Sequence, residues 1–176
     1  MLAKRKAIRL KNYDYNASGY YFVTVCTRNK EKLLGDVVGT VLPDGPQCNL
    51  SIYGKIVAEQ LETMRTHYDD IRIEHYVVMP NHVHLLIWQS GNDQLNGPSR
   101  NLCPLGTTVP TKFPNISKLS RFIGTFKRFC NRQCNINLWQ TRFHDHIIRN
   151  EADYLRIWEY IDTNPQKWQI DCFFTE

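Results

Sequence analysis

Residues 77–88 read VVMPNHVHLLIW and belong to a predicted antiparallel hairpin at the centre of the fold. It joins two apolar segments, residues 71–79 and 82–88, whose β-branched and aromatic content predicts strands. Pro80-Asn81 between them predicts the tight turn of a β-hairpin. Because side chains alternate along a strand, His82 and His84 are expected on one face and the intervening apolar side chains on the other.

The His-x-His pair is the first candidate site. Two imidazoles at this spacing can bind one metal ion, since neutral imidazole nitrogen is a common metal ligand. Two hydrogen-bonded or surface histidines that bind nothing would give the same pattern. The pair alone leaves both interpretations open.

Other elements follow on either side of this hairpin. The patterns predict a strand over residues 20–27, an irregular strand or hairpin over 33–42, a helix over 51–67, a helix over 117–130, a strand over 143–149 and a helix from 150 to about 163. Ser51 and Asn150 are the expected N-caps of two of the helices. This order predicts an α+β fold: a ferredoxin-like, split βαβ antiparallel sheet with helices on one face, plus a C-terminal helix.

The size and composition bound the architecture. The chain has 176 residues and a mass of 20.7 kDa, which suits one domain over residues 1–176. Residues 89–115 are rich in Gly, Pro, Ser, Thr and Asn and predict a long loop, which either closes over a substrate or is an insertion. The six cysteines are scattered without a CxxC pair, which favours reduced thiols. With no targeting or membrane-spanning segment in the sequence, we expect a cytoplasmic protein without membrane partners.

The charge distribution is uneven. The formal net charge is +5, and no Asp or Glu occurs between Asp93 and Asp145. The helix in this stretch places Lys118, Arg121, Arg128 and Arg132 on a face apart from its apolar stripe, with Lys127 beside them. This face is either a surface for a polyanion or an ordinary solvated face.

Tyr160 and Asn164 are four residues apart near the end of the last predicted helix, so they share a face. The apolar stripe of that helix is elsewhere and consists of Tyr154, Ile157, Trp158 and Ile161. A tyrosine outside the apolar stripe is either half-exposed packing or a group that meets a substrate.

Three blocks of sequence together are more specific than any of these features. Pro80-Asn81-His82-Val83-His84-Leu85 resembles the HUH motif of single-tyrosine transposases, and of the REP-associated tyrosine transposases most of all. The similarity continues in LWQxRFxDHxIR, residues 138–149, and in EYIxxNP, residues 159–165. The blocks have the order found in that family and lie within residues 77–167.

The resemblance implies roles for particular residues. It implies that Tyr160 is a nucleophile on the C-terminal helix and forms a 5′-phosphotyrosine intermediate. It implies a divalent metal, Mg²⁺ or Mn²⁺, held by His82, His84 and Asn164. Some relatives carry Gln at the third position, and residues 89–115 are longer than the family pattern needs. Lys127 matches a lysine that the family places on the helix before the third block.

The implied function is a metal-dependent single-stranded DNA nuclease and strand transferase, a transposase acting in DNA transposition or in the processing of REP-like hairpins. The implied partner is single-stranded DNA with an adjacent hairpin, and a homodimer is compatible with the family. The expected DNA-binding residues are Lys118, Arg121, Lys127, Arg128, Arg132, Arg142 and His146. Two alternatives are a non-catalytic nucleic-acid-binding domain on the same fold, and a zinc hydrolase that uses His82 and His84 without Tyr160.

Overall fold

The computed structural model describes residues 13–38, 47–91 and 116–174, and these residues form strands and helices in the predicted order. The elements are β1 (Gly19–Cys26), β2 (Gly35–Val38), β3 (Gln47–Leu50), α1 (Ile52–Arg65), β4 (Ile71–Met79), β5 (His82–Gln89), α2 (Lys118–Cys134), β6 (His144–Ile148) and α3 (Glu151–Thr163). Two short 3₁₀ segments, Arg28–Lys30 and Pro165–Ile170, accompany them.

The main sheet has four strands in the order β4-β5-β1-β6, and each neighbouring pair is antiparallel. The predicted hairpin is therefore real: β4 and β5 pair around Pro80-Asn81, with Met79 opposite His82. β2 and β3 form a separate two-stranded ribbon. The prediction of a mixed fold with an antiparallel sheet and helices is confirmed.

The prediction for residues 33–42 is confirmed in part. Residues 35–38 form β2, while residues 39–42 lie outside the described part of the chain. The predicted loop over 89–115 begins differently, because Gln89 is the last residue of β5. The rest of that prediction, residues 92–115, falls outside the described residues.

The two faces of the sheet carry different layers, because alternate side chains point to opposite sides. One face packs against α1 and α2, and its core includes Val23, Val25, Val83, Leu85, Leu61, Phe122 and Phe126. The opposite face packs against α3, and its smaller core includes Leu86, Ile148, Ile157 and Ile161. The predicted apolar stripe of α3 is thus the face that meets the sheet.

The ends of α3 fix where its side chains lie. Asn150 accepts a hydrogen bond from the N–H of Asp153 at 2.8 Å, which starts the helix directly after β6. Pro165 lacks an N–H and cannot continue an α-helix, so the chain turns into the 3₁₀ segment Pro165–Ile170. This turn brings Asp171 back beside the face of α3 that carries Tyr160 and Asn164.

No helix in the described residues is long and apolar enough to cross a membrane.

Candidate active site

The two histidines lie at the centre of the sheet, on the face that α3 covers. β5 has β4 on one side and β1 on the other, so both imidazoles are fully buried. Their Nε2 atoms are 2.9 Å apart, as expected for side chains that project from the same face two residues apart.

Hydrogen bonds fix the ring of His82. The amide nitrogen of Asn81 donates to the carbonyls of Lys30, at 3.2 Å, and Phe173, at 2.8 Å. This leaves Oδ1 of Asn81 to accept from Nδ1 of His82 at 2.8 Å. With its proton on Nδ1, His82 presents the lone pair of Nε2 to the site.

The ring of His84 has a similar partner. Oγ1 of Thr24, on the neighbouring strand β1, lies 2.9 Å from Nδ1 of His84. A partner at Nδ1 leaves Nε2 directed at His82 and at Tyr160.

Burial keeps both imidazoles neutral. It lowers the pKa of His82 to about 4, although the Asp171 carboxylate opposes this shift and Lys30 adds to it. Burial, and then the neighbouring His82, lower the pKa of His84 well below its ordinary value. Neutral imidazoles are the form that binds metal ions.

Tyr160 lies on α3 directly beside the pair. Its hydroxyl is 3.4 Å from Nε2 of His84 and donates to Oδ2 of Asp171 at 2.8 Å. Its ring packs edge-on against Phe22, with centroids 5.8 Å apart. Burial, followed by the hydrogen bond to Asp171 and its negative charge, raises the pKa of Tyr160 above its ordinary value. The hydroxyl is therefore protonated at neutral pH.

Asn164, one helical turn later, is fully buried. Its Nδ2 donates to Oδ2 of Asp171 at 2.9 Å, while its Oδ1 has no hydrogen-bond partner among the described residues. A buried carbonyl oxygen without a partner is costly to fold, so this atom is a candidate for a ligand role.

Asp171 was not predicted from the sequence. One ligand atom each from His82, His84 and Asp171 lie within 4.8 Å of one another. Burial alone would raise the pKa of Asp171, but hydrogen bonds from the Phe173 N–H, Asn164 and Tyr160 outweigh it and hold the pKa below its ordinary value. The α-helix ends before Pro165, so the helical repeat of α3 does not extend to position 171 and no local pattern indicated it.

A cleft of about 300 Å³ opens beside the tyrosine. The rings of Phe22, His84, Tyr160 and Phe173 contribute to its wall, together with His144, His146 and Arg156. Nε2 of His146 donates to Oδ2 of Asp153 at 2.8 Å, and Arg156 also donates to this carboxylate. Those two hydrogen bonds, that of Arg156 first, lower the pKa of Asp153, so this carboxylate orders both side chains at this edge of the cleft.

The predicted basic residues divide into two groups. Lys118 was expected on an exposed face of α2, and this is wrong. It is 6% exposed, and its ammonium donates to the carbonyls of Ser90, at 3.1 Å, and Gly91, at 3.3 Å. Asp70 lies 3.7 Å away, so Lys118 ties α2 to the end of β5.

Lys127 is also engaged internally. Its ammonium donates to the carbonyls of Gln140, Thr141 and Arg142 at 2.7, 3.4 and 2.9 Å. An ammonium has three donors, and here all three meet backbone carbonyls in the segment before β6.

The other cations are free to meet solvent. Arg121, Arg128, Arg132 and Arg142 are exposed, as is His146. The first three lie on α2, which packs on the sheet face opposite to the histidines. His146 lies on β6 and lines the cleft, whereas Arg142 lies in the segment before β6. The structure therefore does not bring the predicted DNA-binding residues into one patch.

Comparisons with known proteins place these features in context. No family model matches the chain. An uncharacterized protein of Haemophilus influenzae is 33% identical over 177 residues, which cover 98% of this chain and 94% of that protein. A second H. influenzae protein, provisionally named a REP-associated tyrosine transposase, is 23% identical over 90% of this chain and 77% of its own length.

A solved structure of a REP-associated tyrosine transposase bound to a REP hairpin shares the fold. It aligns with a TM-score of 0.59 and 22% identity, over 90% of this chain and 73% of that one.

Proposed function

We propose that the chain belongs to the family of the REP-associated tyrosine transposases, which its similarity to two such proteins supports. In this proposal it cleaves and rejoins single-stranded DNA, with Tyr160 as the nucleophile and a divalent metal ion held by His82, His84 and Asn164. The observation that carries this proposal is the position of the Tyr160 hydroxyl. It lies 3.4 Å from Nε2 of His84, which in turn lies 2.9 Å from Nε2 of His82. A packing tyrosine would not need to place its only polar atom there.

The side chains present fit a metal ion. Both imidazoles are neutral and have Nδ1 partners that direct Nε2 to the site. Oδ1 of Asn164 is a buried oxygen with no other partner in the described part of the chain. The amide oxygen of Asn164 suits Mn²⁺ or Mg²⁺, whereas the imidazole nitrogens also suit zinc and other transition metals. When bound, the ion would polarise a nonbridging oxygen of the DNA phosphate and stabilise the charge that develops there.

The protein's own residues carry the covalent step. The Tyr160 oxygen attacks phosphorus, a new O–P bond forms, and the bond from phosphorus to the 3′-oxygen breaks. The phenolic proton leaves the tyrosine, and the departing 3′-oxygen takes up a proton to become a hydroxyl. The product is a 5′-phosphotyrosine, and because the phosphodiester energy is kept, another 3′-hydroxyl can reverse the step and join a new strand.

The hydrogen bond to Asp171 orients the nucleophile. Since the pKa of Tyr160 is raised, the hydroxyl approaches the phosphate as the neutral form. Its donor is directed at Oδ2 of Asp171, which leaves the oxygen lone pairs available towards the cleft.

The cleft beside Tyr160 would hold the strand near the cleavage site. Aromatic rings can stack on unpaired bases, and His146 and Arg156, which line the cleft, can meet phosphates. A hairpin next to the cleavage site would extend the DNA beyond the cleft. The relative solved with a REP hairpin supports this choice of partner.

The same proposal includes the finer architecture. The order β4-β5-β1-β6, all antiparallel, supports a ferredoxin-like, split βαβ domain over residues 1–176, to which α3 adds the nucleophile.

The test is a covalent adduct. The protein is incubated with Mn²⁺ and labelled single-stranded DNA from the sequence that flanks its own gene, and the products are separated under denaturing conditions. We expect a band that resists denaturant and disappears with protease. Tyr160→Phe removes the attacking oxygen but keeps the ring against Phe22, so it should bind DNA and metal and form no adduct.

Tyr154→Phe is the matched control. Tyr154 lies on the same helix and packs against Tyr20, with ring centroids 5.0 Å apart, so this variant should keep the adduct. An adduct in Tyr160→Phe that is lost in Tyr154→Phe would reassign the nucleophile. DNA binding without any adduct, with metal bound, would favour the non-catalytic binding domain.

A further inference from the structure

The C-terminal segment Asp171–Phe173 lies over the two histidines. The ring of Phe173 is 4.8 Å from that of His82 and 5.9 Å from that of His84. Its backbone carbonyl accepts from Asn81 at 2.8 Å. The segment is thus held against the strand that carries the pair, although it is about ninety positions away in the sequence.

The carboxylate of Asp171 is the centre of this contact. Its Oδ1 accepts from the N–H of Phe173 at 2.6 Å, and its Oδ2 accepts from Tyr160 and Asn164 at 2.8 and 2.9 Å. All three donors are electrically neutral. A half-buried carboxylate whose hydrogen bonds come from neutral groups is a favourable position for a cation.

The distances place this carboxylate inside the histidine site. A ligand atom of Asp171 lies within 4.8 Å of the ring nitrogens of His82 and His84, which is a separation that one ion can span. The imidazoles and the Asn164 amide bring no charge, whereas a carboxylate brings one and is a donor that Mg²⁺ and Mn²⁺ prefer.

We propose that Asp171 is an additional protein ligand of the metal ion and that it couples metal binding to the orientation of the nucleophile. The same carboxylate that would meet the ion holds the Tyr160 hydroxyl and the Asn164 amide. Metal binding would therefore fix α3 and the C-terminal segment against β5 together. This inference rests on the proposed metal site but not on DNA cleavage.

The first test measures metal affinity without DNA. Asp171→Asn keeps the shape of the side chain and an acceptor for the Phe173 N–H but removes the charge. Calorimetric titration with Mn²⁺ should show an affinity at least about tenfold lower than that of the unmodified chain, since even outer-shell partners of metal sites contribute about 10–100-fold.

Asp162→Asn is the matched control for that titration. Asp162 is an exposed carboxylate on α3 whose Oδ1 lies 2.6 Å from Nε2 of His75, outside the histidine site. Its loss should leave the Mn²⁺ affinity unchanged. Equal affinities in Asp171→Asn and the unmodified chain would overturn the proposal.

The second test separates a ligand from a residue that only supports the fold. Asp171→Cys is made together with Cys172→Ser and titrated with Cd²⁺, because thiolates prefer soft ions. A ligand at position 171 should give an ultraviolet thiolate-to-Cd²⁺ charge-transfer band at one ion per chain that the Cys172→Ser protein lacks. A folded double variant without this band would overturn the proposal, even if Asp171→Asn binds Mn²⁺ weakly.

The outcomes also separate this inference from the proposed function. If Asp171 passes both tests while no DNA adduct forms, the ligand assignment stands and the nuclease proposal fails. If the unmodified chain binds no divalent ion, the metal site itself is wrong and the ligand assignment fails with it.

Discussion

Asn81 shows how one buried side chain can organise a site that it does not enter. It is fully buried, and it links the Lys30 carbonyl, the Phe173 carbonyl and the His82 ring. Because both donors of its amide are used, its oxygen has to face His82. The tautomer of His82 therefore depends on three segments that are distant in sequence.

The burial of His82 predicts a pH dependence of stability. Its pKa is about 4 in the folded protein against 6.5 for an exposed histidine. Below pH 6.5, His82 binds a proton in the unfolded chain but stays neutral in the folded chain. The free energy of unfolding is therefore highest above pH 6.5 and falls as the pH drops towards about 4. The metal-free protein should lose about 3 kcal/mol of unfolding free energy over this window from His82 alone.

Urea denaturation with a chelator at pH 7.0 and pH 4.5 measures that loss. The difference between the two pH values should shrink in His82→Gln, although some should remain because the pKa of His84 is also lowered. His67→Gln, at an exposed position just after the end of α1, is the control and should keep the full difference. A difference of the same size in all three proteins would mean that acid acts elsewhere in the fold.

At the scale of elements, α2 uses two of its lysines to hold the neighbouring chain. Lys118 ties its first turn to Ser90 and Gly91 after β5, and Lys127 ties its middle to the segment 140–142 before β6. The basic residues of α2 therefore divide into two lysines that hold neighbouring backbone and a second group that is exposed to solvent. This second group consists of the arginines Arg121, Arg128 and Arg132.

Lys127→Met should destabilise the protein. Methionine can follow the same path, but it leaves three backbone carbonyls without their donor. The unfolding free energy should fall by about 0.5–1.5 kcal/mol, the usual net contribution of a hydrogen bond, because water can reach two of the three carbonyls. Guanidinium denaturation measures this loss.

Arg128→Met is the control at the next position. Arg128 is exposed, and within the described residues its guanidinium donates a hydrogen bond to Thr125 on the same helix. Its replacement should change stability by no more than about 0.5 kcal/mol. Equal losses in the two variants would contradict a structural role for Lys127.

At the scale of the whole molecule, the sheet separates the proposed active site from part of the positive charge. The histidines, Tyr160 and the cleft are on the α3 side, whereas the exposed arginines of α2 are on the other. A short strand that fills the cleft cannot reach both. Only DNA that extends around the edge of the sheet, such as a strand with a folded hairpin, could contact both surfaces.

Combined replacement of Arg121, Arg128 and Arg132 by Ala should therefore act selectively. It should weaken binding of a hairpin-bearing strand and reduce its log–log salt slope by about 0.7–0.9 for each phosphate contact that is lost. Binding of a short oligonucleotide without a hairpin should change little. Affinity measured over a range of salt concentrations decides between these cases, and an unchanged slope for the hairpin would show that these arginines only face solvent.

Local periodicity explains what the sequence determined about this protein. The hairpin with both histidines on one face follows from the two-residue repeat of strands, and the shared face of Tyr160 and Asn164 follows from the helical repeat. The N-caps Ser51 and Asn150 and the stop at Pro165 are equally local, and the structure has all three. These features need only neighbouring residues, so one sequence is enough to predict them.

Tertiary structure alone decided the remaining features. Lys118 and Lys127 have the spacing of a basic surface, but both donate to backbone carbonyls instead. These carbonyls belong to Ser90, Gly91 and residues 140–142, and no local repeat brings them to the helix. Asp171 lies beside His82, and the Phe173 carbonyl accepts from Asn81, only because the chain turns back after α3 and crosses the end of the hairpin. The physical reason is that each polar side chain has several possible hydrogen-bond partners that are distant in the chain. The fold determines which of them lies within hydrogen-bond distance, and no short-range sequence pattern predicts it.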